Sequence, residues 1–263
     1  MACPYCYCHF TNEPIEHGTC FLIIDKCHEI GVKIITFGGG DPLCCSFIWE
    51  LITYAKSKNI EVHLDTNGLS LTHDKYDQIA NYISLISFPI DGPTAKIHEA
   101  MRGSCEHFDI VIGHLSNIVT YDCRVKINTV VSSVNYKHLP QLGVLLEKYS
   151  IDIWSLQQFW PMERGRAIAE RYKISNEDYT SAILNISYND FPFLLEHGSI
   201  SERRKHHFFV THSGRVYVHS PHRKDSYTEL GSFFDPITLE KWKELSYLSI
   251  HPRALHRYKI LQS

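Results

Sequence analysis

The chain has 263 residues, 44% of them hydrophobic, with 21% charged side chains and a net charge of −3. That is enough apolar material for one globular domain with a small appendix, and it excludes a disordered acidic tail and a basic nucleic-acid binder. No apolar run reaches the length of a bilayer span, and Met1-Ala2-Cys3-Pro4-Tyr5-Cys6 lacks the charged and apolar regions of a signal peptide. A cytoplasmic protein is expected, with neither membrane nor nucleic acid as partner.

In chain order, Pro14–Ile30 reads as a helix and Val32–Phe37 as a short strand running into Gly38-Gly39-Gly40. Leu43–Ser57 reads as a helix, Ile60–Asp65 as a strand ended by Thr66-Asn67-Gly68, and His73–Tyr82 as a helix. Leu85–Ile90 is a strand closed by Asp91-Gly92-Pro93. A helical stretch follows and breaks near Arg102-Gly103-Ser104. Phe108–Tyr121 is helical, Arg124–Val131 a strand, Leu139–Tyr149 a helix and Ile153–Phe159 a strand. Strand and helix alternate about every 25–35 residues, the pattern of a parallel sheet with crossover helices. The polar and glycine-rich tips all follow strands, so they gather on one face as a single composite site.

The character changes after Pro161. Met162–Asn189 reads as helical, with Ser175 an N-cap and Glu177-Asp178 in the first turn. His207–Thr211 and Arg215–His219 flank His212-Ser213-Gly214, a hairpin signal. Leu230–Trp242 runs into a C-terminal helix. The expected division is 1–160 for the main unit and 161–263 for an accessory cap.

The nine cysteines are an odd number in a chain that is not small, which weighs against a secreted disulfide framework. Three fall in the first eight residues. Cys3-Pro4-Tyr5-Cys6 is a C-x-x-C pair, with Cys8 close behind. Thiolates are soft ligands; alone, the pair is open between structural zinc, a redox couple and an iron–sulfur cluster. Gly38-Gly39-Gly40-Asp41-Pro42-Leu43 follows a strand. Alone, it reads as a tight turn with an Asp-Pro helix start, though glycines also let a backbone approach a ligand closely.

Together, about thirty residues apart, these two segments resemble the radical S-adenosylmethionine (SAM) family, whose loop is C-x-x-x-C-x-x-C with an aromatic, followed by a G-G-E-P edge. The resemblance implies a partial (β/α)6 TIM-like barrel lacking its first strand in this numbering, with a small C-terminal α+β extension. It implies a [4Fe–4S] cluster on Cys3 and Cys6, the family's first cysteine aligning two positions before Met1. Two thiolates alone imply a labile cluster. Cys8 is either a replacement ligand or a free thiol beside the site. In the family, three cysteines leave one iron open to chelate SAM, whose one-electron cleavage gives a 5′-deoxyadenosyl radical.

Tyr5 matches the aromatic near the adenine. Gly38, Gly39, Gly40 and Asp41 match the edge at the methionyl amino group, with Asp in place of the family's Glu. Thr66-Asn67-Gly68 matches a further turn. Ser87 matches a position at the SAM carboxylate or ribose; otherwise it is a strand serine bonded to backbone. Arg102, in the H-x-x-x-R-G segment begun by His98, matches a partner of the SAM carboxylate, against a surface helix arginine. Asn128 matches a position near the ribose and methionine, against a polar residue facing into the barrel without a ligand. Gln157 and Gln158 are candidates to face the site from the last strand.

Within the family the chain looks closest to the viperin-like branch. Ile151–Phe159 nevertheless has no basic residue for a triphosphate, which Lys126 and the run His222-Arg223-Lys224 offset only in part. No cysteine follows Cys123, which argues against auxiliary clusters. The expected partners are a small-molecule or peptide substrate and an electron donor such as flavodoxin or ferredoxin. Two other readings stand beside this one. One is an inactive relative acting as a binding scaffold; the other is a zinc protein using Cys3, Cys6 and Cys8 with His9.

Overall fold

The computed structural model describes residues 1, 3–8, 14–203, 208–219 and 227–245. Its first part alternates helix and strand: α1 (His17–Glu29), β1 (Ile34–Phe37), α2 (Ile48–Ser57), β2 (Glu61–Asp65), α3 (Tyr76–Tyr82), β3 (Leu85–Pro89), α4 (Ala95–Arg102), α5 (His107–Ile118), β4 (Arg124–Val131), α6 (Leu139–Leu146) and β5 (Ile153–Gln158). Then come α7 (Arg164–Ala167), α8 (Ala169–Tyr172), α9 (Asn176–Ser187), β6 (Leu194–Gly198) and α10 (Ile200–Arg203). The described chain ends with β7 (Phe208–Val210), β8 (Arg215–His219), β9 (Tyr227–Ser232) and α11 (Pro236–Leu245).

Strands β1 to β6 form one parallel sheet whose spatial order is the chain order. A doubly wound sheet reverses its order at a switch point and buries both faces. Here the order never reverses, and only one face is apolar. Leu64, Ile86, Phe88, Ile127, Trp154 and Leu156 are buried in one continuous core with the helices, each contributing about 1.5–3 kcal/mol by leaving water. The other face carries Asp65, Ser87 and Lys126 in one register row and Asn128, Ser155 and Glu196 in the next. A sheet wound in one sense around a polar interior is the partial TIM-like barrel expected from the sequence. Strands β7–β9 form a separate antiparallel sheet, with β7 and β8 joined through the expected hairpin and Gly214 at φ 73°.

Several elements depart from the sequence reading. The expected helix Leu43–Ser57 is two pieces: a 3-10 turn over Pro42–Cys44, capped by the Asp41 carboxylate, and α2 from Ile48. Cys45 is extended (ψ 120°) and separates them. Met162–Asn189 is likewise divided, by Ile168 at φ −120° and Lys173 at ψ 130°. Within it, α9 starts where expected, the Ser175 hydroxyl accepting from the Asp178 amide at 2.9 Å. Strand β6 was not anticipated, nor β9, which takes up Leu230 ahead of the C-terminal helix. Among the described residues no helix is long and apolar enough to cross a membrane.

Candidate active site

The cysteine segment is docked on the end of α4. Gly103 ends that helix in the left-handed conformation at φ 67°, and Pro4 lies 3.5 Å from where a Cβ at Gly103 would stand. The Cys6 amide donates to the Cys3 carbonyl at 3.2 Å, closing a turn around Tyr5. The Tyr5 ring is buried in a small apolar cluster with Met101, Phe159 and Tyr172, and its hydroxyl donates to Asp91 Oδ2.

Asp91 is the node of this region. It is 0% exposed, so its charge must be matched by close partners. Arg102 Nε donates to Oδ2 at 2.7 Å and the Val130 amide to Oδ1 at 2.8 Å. Asn135 Nδ2 reaches the Asp91 carbonyl at 2.8 Å. The Arg102 guanidinium also lies over Tyr5, 5.6 Å from the ring centre, and its Nη1 points at Cys3 Sγ, 3.4 Å away. Burial works against the Arg102 charge, but Asp91, Tyr5 and Cys3 outweigh it and raise its pKa. Burial pushes the Cys3 thiol up. Cys6 moves the other way, to about 6, because a hydrogen bond from Cys8 stabilises its thiolate more than burial penalises it. The Cys8 thiol is correspondingly raised, first by that bond and then by burial.

The single Cys8 S–H stands between two acceptors, the Cys6 sulfur and the Gly39 carbonyl at 3.2 Å. That second contact joins the cysteine segment to the glycine edge of β1. Gly39 has φ 111°, a conformation open to glycine, and a side chain there would meet nothing within 4 Å among the described residues. Beside it, Asp41 ties two strand tips together. Its carboxylate accepts from the Leu43 amide (3.0 Å), the Thr66 hydroxyl (2.9 Å) and the Asn67 amide (3.2 Å).

On the polar inner face, Ser87 is 2% exposed and its hydroxyl has no hydrogen-bond partner among the described residues. An orphaned buried hydroxyl is costly unless a ligand completes it. Asn128 sits between Pro89 and Ser155 in register. Gln157 shares this face and donates to the Ser155 hydroxyl at 2.7 Å. Gln158 points to the other side, bonded to Asn176 Oδ1 and the Ile200 amide, and does not face the site. The structure therefore brings Cys3, Cys6, Tyr5 and Arg102 together around Asp91, and Gly38–Asp41 beside Cys8. Ser87 and Asn128 lie deeper along the strands. His9 and the run His222-Arg223-Lys224 lie outside the described residues. Among the described residues, no group of three or more His, Cys, Asp or Glu side chains is arranged to hold a metal ion.

The sequence model of the radical SAM superfamily matches residues 1–142, more than half of the chain. The chain belongs to the radical SAM superfamily. This is a superfamily of enzymes whose chemistry uses a [4Fe–4S] cluster and SAM. The mycofactocin maturase MftC of Mycobacterium tuberculosis is 29% identical over 171 residues, 63% of this chain and 43% of its own length. An AdoMet-dependent heme synthase of Nitratidesulfovibrio vulgaris is 28% identical over 194 residues, covering 72% of this chain and 52% of its own. An S-adenosylmethionine-dependent nucleotide dehydratase of Flammeovirga pacifica is 26% identical over 205 residues, 73% of this chain and 70% of its own. The chain thus spans about half the length of the maturase and the heme synthase. Three different activities match at nearly equal identity, so the viperin-like branch is not singled out.

Among solved structures, anSMEcpe with bound AdoMet superimposes with a TM-score of 0.72 at 18% identity, over 95% of this chain and 80% of that one. SuiB of Streptococcus suis bound to S-adenosylmethionine gives 0.66 at 13%, over 93% and 63%. At these identities the likeness concerns the fold.

The sequence places Asp91 among the strand-end tips of the composite face but gives it no specific role, and it gives none to His98, His107 and His114. The signal for the last two was their seven-residue spacing, which puts them on one face of α5 two turns apart.

Proposed function

We propose that this radical SAM chain binds a [4Fe–4S] cluster through Cys3 and Cys6 and holds SAM between the cysteine segment and the glycine edge, for hydrogen abstraction from a substrate. The observation that carries the reading is the 3.2 Å contact of Cys8 with the Gly39 carbonyl, which sets thiols and glycine edge at one mouth of the barrel. The donor set suits the cluster: soft sulfurs, one of them drawn toward the thiolate by the Cys8 hydrogen bond and another facing a guanidinium. The orphaned Ser87 hydroxyl and the open space at Gly39 suit a polar ligand alongside.

When bound, the cluster supplies one electron that cleaves the SAM sulfonium to a 5′-deoxyadenosyl radical. The residues around it bind, orient and shield. Tyr5 and Arg102 anchor the cysteine segment through Asp91. Asp41 fixes the glycine edge against the Thr66–Gly68 turn, and its carboxylate is already filled by three donors, so the SAM amino group is assigned to the carbonyls of Gly38, Gly39 and Gly40. Cys8, donating to the Cys6 sulfur, acts as a thiol neighbour of the cluster and not as its ligand. Ser87 and Asn128 reach the ligand from the strands. A flavodoxin or ferredoxin as electron donor and a small-molecule or peptide substrate complete the reading; the matched relatives differ in what they act on, so the likeness supports the cofactor chemistry and does not favour one substrate.

The test is anaerobic reconstitution of the full chain, with iron and sulfide analysis and detection of 5′-deoxyadenosine after reduction. The expected result is up to about four irons per chain, in a cluster that is labile because two thiolates hold it, and SAM cleavage, both lost in Cys3→Ala and Cys6→Ala. An intact cluster that leaves SAM uncleaved overturns the proposal, and one zinc without sulfide selects the zinc reading.

A further inference from the structure

His98 on α4 and His107 at the start of α5 are both 0% exposed and take no part in the site as described so far. Their rings lie edge to edge and nearly coplanar, with centroids 5.0 Å apart and planes 12° apart. The Asp91 amide donates to His98 Nδ1 at 3.1 Å. An amide N–H only donates, so His98 Nδ1 accepts, and the neutral ring carries its proton on Nε2. That nitrogen lies 2.7 Å from His107 Nδ1, which must then accept. His107 therefore has its proton on Nε2, 2.8 Å from the Asn67 carbonyl oxygen, which also only accepts. The two ends impose one proton order: Asp91 N–H to His98, His98 to His107, His107 to Asn67. Reversing either tautomer, or protonating either ring, sets N–H against N–H at one link.

We infer that His98 and His107 are positioning residues, coupling the Asp91 node beneath Cys3 to the Thr66-Asn67-Gly68 turn so that the cysteine segment and the SAM-binding turn keep one relative geometry. The inference rests on the reading of SAM binding above. At one end, Asp91 holds Tyr5 and Arg102 by its side chain and His98 by its main chain. At the other, the Asn67 amide is held by Asp41, and the next carbonyl, that of Gly68, is held by His114 Nε2 at 2.8 Å. His114 is itself oriented by the Tyr76 hydroxyl, 2.7 Å from its Nδ1. Burial keeps His98 and His107 neutral, drawing them down to about 3 and about 4; Arg102 acts in the same direction and Asp91 in the opposite one. A purely structural filler has no need of two imidazoles in a fixed tautomeric order.

The experiment uses the full chain. Imidazole nitrogen NMR on the wild type reads the tautomers, hydrogen exchange reads the amides of Asn67 to Leu69, and equilibrium dialysis of the reconstituted protein reads SAM affinity. Both rings are expected as neutral Nε2–H tautomers. His107→Leu is expected to speed exchange at the turn and weaken SAM binding, each by about tenfold, and His107→Gln, which returns an amide donor toward the Asn67 oxygen, to recover most of both. An Nδ1–H tautomer in either ring overturns the inference, and so does wild-type exchange and affinity in His107→Leu. Wild-type protein that binds no SAM defeats the functional reading instead; the tautomers and turn exchange then still decide the coupling between the two segments. The NMR arm needs no variant to fold.

Discussion

Lowering the pH from 7 to 5 is expected to destabilise this protein through His98 and His107 in particular. Both have folded-state pKa values below the ordinary 6.5, at about 3 and about 4. The unfolded chain takes up protons at 6.5 while the folded chain refuses them. Their stabilising contribution is therefore complete above about pH 6.5 and drains away as pH falls toward the folded values. At 1.36 kcal/mol per pH unit, 1.5 units below 6.5 cost about 2 kcal/mol for each ring, or about 4 kcal/mol for both. That is a large part of the roughly 5–15 kcal/mol that holds a domain together. His114 is shifted the same way by burial, so the measurement must be differential. Urea midpoints at pH 7 and pH 5 would be compared between wild type and a His98→Asn/His107→Asn variant. Wild type should lose about 4 kcal/mol more than the variant between the two pH values. Equal losses would refute the reasoning, because the proton uptake would then arise elsewhere.

Three further outcomes are expected. Arg102→Leu leaves Asp91 enclosed without its guanidinium and should cost about 3–5 kcal/mol in urea unfolding, with Asp91→Asn in the same chain recovering part; an unchanged midpoint would show that the pair carries no such weight. Ser87→Val removes the orphaned hydroxyl, so apo stability should stay level or rise by up to about 1 kcal/mol while SAM affinity drops severalfold; unchanged affinity removes Ser87 from the site. Gly92→Ala puts a Cβ 2.5 Å from Ile97 Cγ2 and 2.9 Å from the His98 amide, which should cost about 1–3 kcal/mol and lower the melting temperature by several degrees; a wild-type melt would mean that α4 shifts freely.

The parallel strand–helix alternation was legible because it rests on local patterns. Short apolar runs such as Leu85–Pro89 and Arg124–Val131 end in turn residues, and the structure places these strands within a residue or two. Leu194–Gly198 was not legible: Leu-Leu-Glu-His-Gly is polar at its centre because Glu196 faces the barrel interior, and polarity there hides the strand. The site was legible at the cysteines and glycines, whose chemistry is carried by residue type and spacing. Asp91 was not, since its role comes from partners 86, 11 and 39 residues away that only the fold assembles. The histidine chain was hidden for the same reason. His98, His107 and Asn67 have nothing in common in the sequence, and only a hydrogen-bonded pair of rings between α4 and the tip of β2 makes them one unit.

The Tyr227 hydroxyl in β9 donates to the Tyr7 carbonyl at 2.5 Å, across 220 residues of chain. Tyr7 is the peptide between Cys6 and Cys8, so the far end of the described chain grips the thiol-bearing end by its backbone. Closing a loop this long costs more chain entropy than closing a short one, so the contact depends on the rest of the fold holding its two ends together. The antiparallel sheet is thus fastened to the cysteine segment through the backbone of Tyr7.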